Sequence, residues 1–114
     1  MIKIYHNPRC SKSRQTLEII REAGHEPEII DYLQTAPPYE ELLDIFKKLG
    51  FESALEMTRT KEPEFKEAGL TKDSSNEEIL KGIVSSPKLL ERPVVITDKG
   101  TCLGRPPENV KEIL

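Results

Sequence analysis

Cys10 stands between a stretch that reads as a β-strand and one that reads as a helix, in the segment Lys3-Ile4-Tyr5-His6-Asn7-Pro8-Arg9-Cys10-Ser11-Lys12-Ser13-Arg14. No acidic side chain precedes Glu18, whereas Lys3, Arg9, Lys12 and Arg14 all do. A sulfur at a helix N-terminus among cations is stabilised as the thiolate, the nucleophilic form. A lone cysteine can equally be a small core hydrophobe. Here the polar flanks Arg9 and Ser11 favour the reactive reading. The chemistry implied is attack by a thiolate on an anionic substrate.

The residues around this sulfur refine the reading. The motif Cys10-Ser11-Lys12-Ser13 is C-x-x-S, so no second thiol stands where a dithiol exchange enzyme would carry one. A hydroxyl at Ser13 can donate to the thiolate, or be an ordinary first-turn serine. His6, across the turn, can donate to the sulfur or lower its pKa as an imidazolium, or simply face solvent at a strand end. Among six arginines, two directly precede proline, in Arg92-Pro93 and Arg105-Pro106. Residues before proline are held extended, so these side chains project from defined backbones. Arginine forks match tetrahedral oxyanions bidentately. Read without partners, the pair would be solvated loop cations. Two cysteines and two histidines without ligand spacing make no metal site.

The elements that must position these groups follow from periodicity. Residues 2–5 read as a strand and Asn7-Pro8 as a turn. A helix runs from about residue 11 to Ala23 on a stripe of Leu17, Ile19, Ile20 and Ala23, with Cys10 or Ser11 as N-cap and Gly24 at the left-handed position beyond its end. Residues 28–32 form a second strand. Pro37-Pro38 opens a helix over 39–49 that Gly50 ends. Residues 51–75 are polar and weakly periodic, and read as short helices in an excursion. Ser74 or Ser75 caps a helix running to about Ser86. Val94-Val95-Ile96-Thr97 is a β-branched run suited to a strand buried on both faces. Asp98-Lys99-Gly100 turns into a strand at 101–103, and Pro106-Pro107 starts a helix at 107–113. Hairpin pairing about 98–100 brings Arg92 and Arg105 to the same end. Cys102, mid-strand, reads as a core or edge residue.

A βαβ opening closed by ββα is the thioredoxin-like layout: an α/β fold with a mixed central sheet, helices on its faces and a helical insertion at 51–89, all in one domain spanning 1–114. At 114 residues and 36% apolar content the chain supports one modest core. A net charge of −3 argues against a general nucleic-acid binder and leaves the basic N-terminal stretch as a local anion site. The apolar runs are too short to span a bilayer, no signal-peptide pattern opens the chain, and two cysteines make no disulfide framework, so the expectation is a cytoplasmic protein without membrane contact.

Taken together, Ile4-Tyr5-His6-Asn7-Pro8-Arg9-Cys10-Ser11-Lys12-Ser13-Arg14, Arg92-Pro93-Val94-Val95 and Gly104-Arg105-Pro106-Pro107-Glu108 resemble the glutaredoxin-linked arsenate reductase (ArsC) family. The similarity extends through Asp31-Tyr32-Leu33 and the Arg59…Glu62-Pro63…Gly69-Leu70 stretch. The resemblance implies reduction of arsenate to arsenite with glutathione as co-substrate, glutaredoxin as partner and no bound cofactor, by a monomer. It implies Cys10 as nucleophile, His6 and Ser13 as its support, and Arg59, Arg92 and Arg105 as the ligands of the oxyanion and arsenic adduct. Two rival expectations stay open: a thiol-sensing transcription regulator of the Spx type, which typically has C-x-x-C at this turn, and a glutathione-dependent thiol reductase with another substrate.

Overall fold

A computed structural model describes all 114 residues. They form two compact units, Met1–Tyr32 with Arg92–Leu114, and Leu33–Glu91. The second unit therefore takes in the helix at 39–49 as well as the polar excursion.

The first unit holds the whole sheet. Its strands are β1 (Lys3–Tyr5), β2 (Glu28–Ile30), β3 (Val94–Thr97) and β4 (Gly100–Leu103), in the order β2-β1-β3-β4. β1 runs parallel to β2 and antiparallel to β3, and β3 pairs antiparallel with β4, so the sheet is mixed as expected. The β1–α1–β2 crossover is carried by α1 (Ser11–Glu22). Ile4, Val95 and Cys102 are register partners across three strands. On them pack Leu17 and Ile20 of α1 and Val110 of the C-terminal segment, forming the core on that face. The buried face of α1 is Ser13, Thr16, Leu17 and Ile20, a helical i, i+3, i+4, i+7 set. Ala23 is exposed instead, because α1 ends at Glu22 and the chain leaves through Gly24 at φ 89°.

The C-terminal segment Pro107–Ile113 is a 3-10 helix, not the α-helix expected there. Its inward residues Pro107, Val110 and Ile113 recur every three positions, and a 3-10 helix aligns i and i+3 on one face. Packing against α1 and β4 thus selects the tighter winding.

The second unit is helical: α2 (Tyr39–Leu49), a 3-10 turn at Ala54–Met57, α3 (Pro63–Glu67), α4 (Asn76–Ser85) and a 3-10 turn at Pro87–Leu89. Ser75 caps α4 in a reciprocal box with Glu78. A second box, Ser53 with Glu56, starts the turn at 54–57. An isolated antiparallel bridge, Thr58 to Leu90, ties the start of the excursion to its end, flanked by Arg59 N–H to Leu89 O at 2.7 Å and Glu91 N–H to Met57 O at 2.9 Å. None of the helices is long and apolar enough to cross a membrane.

Candidate active site

Cys10 is the N-cap of α1, with extended φ/ψ of −97° and 122°, and its side chain makes no capping bond of its own. Burial disfavours its ionised form. The Ser13 backbone N–H, the Arg92 guanidinium through both charge and a hydrogen bond, and the Lys12 backbone N–H together outweigh that burial and hold the thiol below its ordinary value. α1 has no acidic side chain in its first turn, so nothing there opposes the negative sulfur.

The turn carrying Cys10 is pinned from several sides. Cys10 N–H reaches Asn7 O at 3.0 Å, Arg9 N–H reaches Asn7 Oδ1 at 3.0 Å, and Arg14 Nη1 reaches Pro8 O at 2.9 Å. Ser13 is fully buried. Its hydroxyl oxygen accepts from Asn7 N–H at 3.0 Å and lies 2.6 Å from His6 Nδ1. This short contact is a hydrogen bond in which donor and acceptor are set by the His6 tautomer. Ser13 and His6 thus fix the backbone of the Cys10 turn, and the sulfur draws on the Ser13 amide while the hydroxyl is engaged elsewhere. His6 is buried and held below its ordinary value of 6.5, by desolvation first and then by Arg21 and Arg14, with Asp31 opposing. At neutral pH the imidazole is uncharged and serves as a hydrogen-bonding brace.

β3 and β4 deliver the arginines. Val94 pairs with Leu103, and Gly104 N–H donates to Pro93 O at 2.9 Å, so Arg92 and Arg105 leave the same end of the hairpin. Both Arg-Pro peptide bonds are cis. Arg105 Nη1 donates to Arg92 O at 3.1 Å, which ties the two segments together. Arg92 Nε and Nη1 are buried and have no partner. Buried donors are almost always paired, and leaving one unpaired costs ~1–3 kcal/mol. Two such donors on a guanidinium that also reaches the Cys10 sulfur are of the kind that match the oxygens of an anion.

Gly104 closes the arrangement and was not signalled by the sequence. A Cβ there would run into Thr16 Oγ1 and stand 2.9 Å from Pro93 Cγ. Only glycine lets the hairpin end approach α1 this closely. Another contributor missed by spacing arguments is the Arg14 clamp.

Arg59 lies in the second unit, half-buried beside two carboxylates. Its Nη1 is 2.7 Å from Glu62 Oε1 and its Nε 3.9 Å from Glu91 Oε1. Cys102 is half-buried on β4, and burial, with a smaller contribution from Glu112, pushes its thiol up to about 11. It is an inert edge residue of the core.

Fold and site together define a thioredoxin-like protein with one thiol held below its ordinary pKa beside unpartnered guanidinium donors. Comparison with known proteins makes this specific. The sequence profile of the ArsC family matches residues 5–113. The chain is 46% identical over 114 residues to the arsenate reductase of Neisseria meningitidis serogroup A, covering 99% of this chain and 97% of that one. It is 48% identical to protein YfgD of Escherichia coli K12, over 99% and 96% of the two chains. The solved arsenate reductase from Vibrio cholerae superposes with a TM-score of 0.94 at 42% identity, covering 99% and 97%. This chain belongs to the ArsC family.

Proposed function

We propose that this protein reduces arsenate to arsenite through the Cys10 thiolate, with glutathione and glutaredoxin supplying the electrons. The observation that carries the reading is the pairing of a thiol whose ionisation is favoured at the start of α1 with two unpartnered buried donors on Arg92. Arsenate is a tetrahedral oxyanion of the kind such donors match. Family relatives that bear the name arsenate reductase, at 46% identity, support the choice of arsenic.

In the proposed sequence the Lys12 and Ser13 amides hold the sulfur, and Arg92, with Arg105, neutralises the oxyanion. Cys10 Sγ attacks arsenic and a S–As bond forms as water leaves. The glutathione thiol condenses on the same arsenic, and a second water leaves. A glutaredoxin thiolate then attacks the glutathione sulfur. The S–As bond to glutathione breaks with its electron pair passing to arsenic, which goes from As(V) to As(III), while a glutaredoxin–glutathione disulfide forms. Water hydrolyses the remaining Cys10–arsenic bond, releasing arsenite and regenerating the thiol. Such a cycle suits a reducing cytoplasm, where both thiols are abundant.

The test is a coupled assay with arsenate, glutathione, glutaredoxin and an NADPH-dependent recycling system. Wild type should consume NADPH in proportion to arsenate, and Cys10→Ser should not. NADPH loss no faster with wild type than with Cys10→Ser would overturn the proposal.

A further inference from the structure

Thr16 lies on the inner face of α1 and is fully buried. Its hydroxyl donates to Lys12 O at 2.8 Å, and Gly104 O lies 3.4 Å from the same oxygen. A helical threonine commonly bonds the carbonyl four residues back, so the first contact alone has an ordinary explanation. Two features set this one apart. The first is the peptide group it reaches, because Lys12 O and the Ser13 N–H are its two ends. Cys10 is the N-cap of α1, so Ser13 is the third helical residue and its N–H is one of the free first-turn donors that face the cap side chain. Against the cost of burial, that N–H is the foremost group favouring the ionised sulfur, ahead of Arg92 and the Lys12 amide. A hydrogen bond to a peptide carbonyl polarises the group and strengthens the donor at its other end, by about 10–30% per bond.

The second feature is the contact to the hairpin end. Gly104 N–H donates to Pro93 O at 2.9 Å, and Arg105 Nη1 donates to Arg92 O at 3.1 Å, so Gly104 belongs to the tie that holds the segment carrying Arg92. Arg92 is the charged side chain that favours the negative sulfur. A hydroxyl has a single hydrogen, so Lys12 O takes most of it and Gly104 O the weaker share.

We propose that Thr16 is a positioning residue for Cys10: one hydroxyl joins the peptide group whose N–H faces the sulfur to the hairpin end that carries Arg92. The inference rests on the reading of Cys10 as the reacting thiol given above. Thr16 touches no reacting atom. It acts through the Ser13 amide, which it polarises, and through Gly104, which it holds against α1. Valine would fill the same space without the shared hydrogen.

The experiment measures the pH midpoint of Cys10 alkylation by peptide mass spectrometry, alongside thermal unfolding. Thr16→Ala and Thr16→Ser differ from each other by the hydroxyl alone, and Thr16→Val removes the hydroxyl while keeping the bulk. In the alanine and valine variants the midpoint should rise by about 0.5 pH unit, about half of what losing one whole hydrogen bond would give. In Thr16→Ser it should stay at the wild-type value, even where the lost methyl lowers Tm. Two variants without the hydroxyl keep the test decisive if one of them folds poorly. In an Arg92→Gln background the rise should be smaller, because only the route through Ser13 remains. An unmoved midpoint without the hydroxyl, whatever happens to Tm, overturns the positioning role, as does a rise in the serine variant equal to that in the alanine one. An equal rise with and without Arg92 overturns the join to the hairpin. Wild-type Cys10 titrating no lower than an ordinary thiol overturns the reading of Cys10 itself, and the role of Thr16 with it.

Discussion

Replacing Gly104 by alanine should destabilise the packing of the hairpin end against α1. The new methyl group would collide with Thr16 Oγ1 and stand 2.9 Å from Pro93 Cγ and 3.0 Å from Thr16 Cγ2. Neither side can yield freely. Thr16 is fully buried and its hydroxyl is held by Lys12 O at 2.8 Å, while Gly104 N–H is held by Pro93 O at 2.9 Å. Overpacking of this kind costs ~1–3 kcal/mol. With 114 residues and an unfolding entropy near 2.1 cal/mol/K per residue, the total is ~0.24 kcal/mol/K, so a loss of about 2 kcal/mol lowers Tm by about 8 °C. Thermal unfolding followed by circular dichroism measures this directly. Thr16→Ala removes two of the three clashing atoms, so Gly104→Ala with Thr16→Ala should cost at least ~1 kcal/mol less than the two changes summed. The same change at Gly82 makes an informative contrast. Its Cβ would meet Leu70 Cδ1 at 2.6 Å, the end of a flexible side chain, and mid-helix alanine gains ~1 kcal/mol over glycine, so the melt should barely move. A Gly104→Ala protein melting within about 2 °C of wild type, or strict additivity with Thr16→Ala, would refute the close-approach argument.

Three further outcomes are expected. Arg92→Gln removes a charge and a hydrogen bond from the sulfur, so the pH midpoint of Cys10 alkylation should rise toward that of an ordinary thiol; an unmoved midpoint would show that the helix amides alone hold the thiolate. Brief treatment with limiting iodoacetamide at pH 7 should label Cys10 and leave Cys102, raised to about 11, unmodified by peptide mass spectrometry; equal labelling would contradict the assigned environments. Because His6 is held below 6.5, the unfolded chain binds more protons than the native one as pH falls through 6.5, so His6 should drive a loss of stability over that interval. Urea melts at pH 7.5 and 5.5 should show the loss in wild type and a smaller one in His6→Asn, and parallel changes in both would exclude His6 as its source.

What could be seen in the sequence was whatever local chemistry decides. Gly24 and Gly50 take the positive φ that helix ends require, and the Ser75 box opens α4 as its spacing demands. The turn at 98–100 and the two Arg-Pro pairs place Arg92 and Arg105 together because hairpin register leaves no other arrangement. Features decided by distant packing were not legible. Ser13 and Thr16 are polar by type yet wholly buried, because each finds its hydrogen bonds inside. Residues 107–113 wind as 3-10 to suit the surface beneath them. The Thr58–Leu90 bridge joins positions far apart in the chain, and no periodicity announces the carboxylates it gathers near Arg59. Gly104 looks like any loop glycine until α1 is laid against it.

The serine that replaces the second sulfur of a dithiol protein is walled in and already committed to an imidazole and an amide. The chain therefore has no local reservoir of reducing power. Under the proposed chemistry each turnover must be recharged from the surrounding fluid, and throughput in a living cell would follow the supply of small thiols as closely as it follows the poison being removed.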